Sequence, residues 1–128
     1  MPELDSLFAR LRAALAKSAS GFHVATDTPS RFELAASPGP ATLAAWGGKL
    51  KRRRIPVAWV AIGKHHVSYH LMALDHPAAR TNLPKSLAAH LLGKTCFQFR
   101  AHDEELIQEL EGVTTRGLAA FRKAGFCS

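Results

Sequence analysis

Residues 57 to 72 read VAWVAIGKHHVSYHLM, two apolar runs rich in β-branched and aromatic residues on either side of a Gly-Lys-His-His tip. That composition around a short polar tip predicts an antiparallel hairpin. With Lys64 and His65 as a two-residue turn, Gly63 faces His66. Counting outward then places Ile62 opposite Val67, Val60 opposite Tyr69 and Ala58 opposite Leu71. These apolar pairs make a core face. The alternate pairs are Ala61 with Ser68, Trp59 with His70, and Val57 with Met72. That second face is too mixed for a packed interior and too apolar for an ordinary wet surface, so function is expected there.

Upstream of the hairpin, Leu4, Leu7, Leu11 and Leu15 recur at helical spacing, with Phe8 widening the stripe, and predict an amphipathic first helix. FHVATDT at 22–28 alternates as a strand does, up to a turn at Asp27-Thr28-Pro29-Ser30. Phe32, Leu34 and Ala36 continue on one face of a second strand. Residues 41–46 read either as a short strand or as one helical turn.

Downstream, Pro84, Leu87, Leu91 and Gly93 suggest a short helix with the glycine at its C-terminal end and Lys94 near its last carbonyls. Thr95 to Arg100 alternates as a strand, with Phe97 and Phe99 on one face and Cys96, Gln98 and Arg100 on the other. The last helix starts at Asp103, carries Glu104 and Glu105 in its first turn, and ends near Arg122 and Lys123, which complements the helix dipole at both ends. Its buried stripe is Leu106, Leu110, Val113, Gly117 and Phe121. Antiparallel strands combined with helices that each need one apolar surface predict an α+β fold. The expected form is a two-layer sandwich, a mainly antiparallel sheet with helices packed on one face, in a single domain over 1–128.

Hydrophobic residues make up 47% of the 128 and charged residues 21%, which is ordinary globular usage. No segment approaches the roughly 18 apolar residues that cross a bilayer. The opening MPELDSLFAR has neither the basic start nor the apolar run of a secretory signal, so a cytoplasmic location is expected. Cys96 and Cys127 show neither metal nor redox spacing. Net charge is +7, and part of it is concentrated in Lys49, Lys51, Arg52, Arg53 and Arg54. Such a run attracts polyanions by counterion release. Preceded by Gly47-Gly48 and lacking interleaved aromatics, it reads first as a solvated loop and second as a nucleic-acid or other polyanion contact.

The segments IGKHHVSYHLM at 62–72 and LPKSLAAHLLGKTCFQF at 83–99, together with DTPSRFEL at 27–34 and the first helix, resemble the YdhG-like bacterial domains of unknown function. Members typically carry an "IGK, aromatic, VSYHLMP" hairpin, a short helix ending in Gly-Lys, a strand with alternating Phe and a closing helix. His66 stands here in place of the usual aromatic, and Ala73 where a proline commonly follows the methionine. The resemblance implies a frataxin-like arrangement with helices on one side of the sheet. It implies no established reaction.

Several chemistries can be weighed against this pattern. His65, His66, His70, Met72, Cys96 and His23 invite a metal site. Alternation puts His66 and His70 on one face, but four residues apart on a strand is roughly 13 Å, too far to share one ion. No metal ligand or cofactor is assigned. Frataxin-like iron handling favours an acidic first helix, whereas this one offers Glu3 and Asp5 against Arg10, Arg12 and Lys17. Gly93-Lys94-Thr95 resembles the tail of a P-loop, but Ala88 stands where the leading glycine belongs. For nucleophilic chemistry, Ser68 and His70 are about 7 Å apart along one strand, and Cys96 with His70 is the better pair if their strands are neighbours. Nothing supplies an oxyanion hole.

The expected function is therefore non-enzymatic binding of a small molecule or a protein partner by Trp59, His70, Met72, Cys96, Gln98 and Arg100, in a monomer or homodimer without membrane contact. Polyanion contact and a metal or iron chaperone are the alternatives, and the plainest one is a sheet face covered by residues 38–56, Trp46 among them.

Overall fold

A computed structural model of the protein describes residues 2–40, 54–75 and 83–125. Helix α1 (Pro2–Ala16) leads into strands β1 (His23–Thr28) and β2 (Arg31–Ala36). Strands β3 (Ile55–Ile62) and β4 (Val67–Leu71) form the central hairpin, followed by a 3₁₀ turn over Met72–Asp75. A one-turn helix α2 (Lys85–Ala88), strands β5 (Leu91–Leu92) and β6 (Cys96–Phe99), and the long helix α3 (Glu104–Lys123) complete the described chain. The fold is α+β: a six-stranded open sheet in the order β1-β2-β3-β4-β6-β5, every pairing antiparallel, with the N- and C-terminal helices packing on it and on each other.

The hairpin adopts the register expected from its turn. Ile62 pairs with Val67, Trp59 with His70 and Ala58 with Leu71, and the Gly63 N–H donates to the His66 carbonyl at 2.7 Å. A Cβ at Gly63 would lie 3.2 Å from that carbonyl oxygen, so glycine suits the close approach at the mouth of the turn.

Alternate residues of the sheet meet the helices. Phe32, Leu34, Val60, Val67, Tyr69, Leu71, Phe97 and Phe99 join Leu4, Leu7, Phe8, Leu11 and Leu15 of α1 and Leu106, Ile107, Leu110 and Val113 of α3 in one buried cluster. Among the described residues one polar side chain, Thr114, is fully buried, and it shares a 2.6 Å hydrogen bond with the Tyr69 hydroxyl. Burial pushes the pKa of that phenol up, which keeps it neutral.

The N-cap of α3 is Asp103, whose carboxylate accepts from the Leu106 N–H at 3.2 Å. Arg10 of α1 donates to both carboxylate oxygens of Glu104, at 2.9 and 2.6 Å, and to Glu111 at 3.3 Å, while Lys17 reaches Glu111 at 2.8 Å. The Arg10 guanidinium, helped by His102, holds the Glu104 carboxyl down to about 2.

Two local expectations are corrected. The Val57–Met72 pair is not made: Leu34 pairs with Ala58 and Ala35 with Pro56, so Val57 is the extra residue of a bulge and is buried in the core, while Met72 opens the 3₁₀ turn beyond the ladder. The short helix stops at Ala88 instead of running to Gly93. Leu91 and Leu92 form β5 against β6, and Gly93, at φ +74°, supplies the left-handed residue of their hairpin turn. Lys94 therefore lies in that turn and not at a helix end. Residues 41–46 lie outside the described residues.

Candidate functional site

The residues that alternate with the core set lie on the sheet face away from α1 and α3. Register places Glu33, Trp59, His70, Cys96 and Leu92 in one row across β2, β3, β4, β6 and β5. A parallel row runs Arg31, Ala61, Ser68 and Gln98.

Trp59 and His70 stack with ring centroids 4.4 Å apart and planes 17° from parallel. The Arg31 guanidinium stands 5.4 Å from the Trp59 ring centroid and is ion-paired to Glu33 at 2.6 Å. The result is a column of three planar groups, each oriented by its neighbour. Partial burial lowers the His70 pKa, and the charge of Arg31 lowers it further, so the ring is held neutral. Burial raises the Cys96 thiol against a hydrogen bond with Ser68, and the thiol contacts the Phe97 carbonyl at 3.7 Å.

Of the six residues expected to bind, Trp59, His70 and Cys96 share the first row and Gln98 the second. Arg100 lies just past β6 and is exposed. It lines an open depression of about 490 Å³ together with Gln98, His90, Leu92, Asp103 and Leu106. His90 is tied into this corner through its Nδ1, 3.1 Å from the Gln98 carbonyl oxygen, and by stacking on Phe99. Met72 is half-buried in the 3₁₀ turn, outside both rows.

Sequence reasoning missed Arg31, Glu33 and Leu92. For the first two a signal was present, since Phe32 and Leu34 on the core face force their neighbours onto the other one.

Cys96 and His70 are cross-strand partners, as nucleophilic chemistry would need. Their titrations run the wrong way for it, because an activated pair wants a depressed thiol and a basic imidazole, whereas both are pushed toward neutrality. Gly93-Lys94-Thr95 opens no helix, so it makes no phosphate cradle. Among the described residues, no three His, Cys, Asp or Glu side chains are placed to hold a metal ion. Of the basic run, Arg54 is exposed, and Lys49, Lys51, Arg52 and Arg53 lie outside the described residues, as does Trp46.

Comparisons with protein families, with curated proteins and with solved structures found no match in any of the three. Among the described residues no helix is long and apolar enough to cross a membrane.

Proposed function

We propose that the chain is a non-enzymatic binding domain that takes a small molecule or a protein partner on the helix-free face of its sheet. In this reading it is a two-layer sandwich of the YdhG-like, frataxin-like kind. What supports this is the Arg31–Trp59–His70 column, three planar side chains ordered against one another away from the core. Side chains already fixed by their neighbours lose little freedom when a ligand arrives, and Trp and Arg are the types that most often dominate binding energy. The neutral thiol and imidazole favour contact over catalysis.

The test is an NMR titration of isotope-labelled protein with small aromatic and anionic fragments. Shifts should cluster on Arg31, Glu33, Trp59, His70 and Cys96, and Trp59→Ala should remove them while unfolding stays cooperative. Shifts confined to residues 49–54 and abolished by salt would favour the polyanion reading instead.

A further inference from the structure

We propose that the column ends in a slot for one more ring, between His70 and Leu92 above Cys96, and that its ligand is a small planar aromatic carboxylate. Resting on the binding role given above to this face, the slot follows from the order of side-chain sizes in one row: Trp59, His70, Cys96, Leu92. Two large planar groups are followed by a small one and then by a large apolar one.

Strand spacing sets the width. His70 and Leu92 stand two strands apart, about 9.5 Å at the backbone. A ring stacked about 3.5 Å from the imidazole leaves about 6 Å to the β5 backbone, which accommodates leucine methyls in van der Waals contact. One face of His70 is used by Trp59, at 4.4 Å, so the other is turned toward the gap. Cys96 floors the gap with a soft, neutral thiol.

Leu92 supplies an independent observation. At 55% exposure it is a large hydrophobic left in solvent, while its neighbour Leu91 packs on the core. A ring entering the row would give that side chain an apolar partner.

The polar requirement comes from the adjoining row. About 7 Å along the strand from Cys96 stands Gln98, and Arg100 lies beyond it on the rim of the depression that Leu92 also lines. A carboxylate projecting from the ring along β6 meets an amide donor first and a guanidinium next. A flat ring with its charge at one end matches both demands.

The experiment uses 2-naphthoate as the probe and cyclohexanecarboxylate as a non-planar control, read by the Leu92 methyl and His70 ring signals of labelled protein. Naphthoate should move the Leu92 methyls upfield by ring current, and the control should not. Cys96→Leu, which fills the floor, should weaken naphthoate binding at least about tenfold, and Leu92→Ala, which removes an exposed wall, should weaken it in the same direction. The proposal is overturned if both acids act alike, if binding survives both substitutions, or if the Leu92 methyls stay fixed. Naphthoate shifts at Arg31 and Trp59 without any at Leu92 overturn the slot while leaving the binding face standing.

Discussion

On β4, Val67, Tyr69 and Leu71 have no exposed surface, whereas Ser68 and His70, one residue away on the same strand, are half-buried and point to the opposite side. The two faces solve different problems. On the helix side the buried positions are constrained by volume, and the polar pair enclosed there, Tyr69 with Thr114, satisfies both groups internally. On the other side Arg31, Trp59 and His70 are ordered by one another, through stacking and an ion pair, and are each part-exposed. Such a surface keeps its geometry while its outer edges remain available for contact.

The contrast is broken most directly at Phe97. Truncation to alanine leaves a cavity between sheet and helices and should cost about 3–5 kcal/mol in urea unfolding. A loss below about 1 kcal/mol would show that the two faces have been assigned in reverse. Tyr69→Phe keeps the volume but strands the Thr114 hydroxyl, with an expected loss of about 1–3 kcal/mol. Adding Thr114→Val should recover part of that loss, and a simply additive double variant would mean that the hydrogen bond contributes no coupling.

On the face away from α1 and α3 the effects should be smaller. Trp59→Ala removes a half-exposed stack and should cost about 1–2 kcal/mol with an unchanged denaturant slope. A loss comparable to that at Phe97 would place Trp59 in the core.

The smallest effect is the pH dependence of His70. Its folded pKa is lowered from the ordinary 6.5 by burial and by Arg31, so the unfolded chain takes up the proton first. Its contribution to stability is fully present above 6.5 and is lost as pH falls below that value toward the folded pKa. An NMR titration of the His70 ring should show a midpoint below 6.5 that moves up in Trp59→Ala, and a wild-type midpoint above 6.5 would contradict the burial argument.

Much of this organisation was legible in the chain, and the failures have physical causes. The Trp59–His70 pairing followed from the period of two and a two-residue turn, which together leave one register. Asp103, Glu104 and Glu105 marked the start of α3 by their chemistry. The bulge at Val57 was invisible because a bulge is set by the partner strand, and nothing in IPVAWVAI announces the extra residue. The strand β5 was read as a helix end because Leu-Leu-Gly fits the close of a helix as well as it fits one side of a tight hairpin. Only pairing with Cys96 and Phe97 decides between them. The Arg31–Trp59 contact needed the order of strands, which alternation alone does not supply. Tyr69 could be assigned to the core from its phase, but its partner Thr114, 45 residues away, could not.

The outer strand β1 carries a register break at Ala25, between the Val24–Leu34 and Thr26–Glu33 pairs. An uninterrupted ladder of unpaired N–H and C=O groups would template another chain. A break in its middle leaves two stretches too short and too differently aimed to be extended in phase. At the opposite border β5 offers only Leu91 and Leu92. Among the described residues the six-stranded sheet thus has an irregular border on one side and a brief one on the other, and both features oppose edge-to-edge pairing.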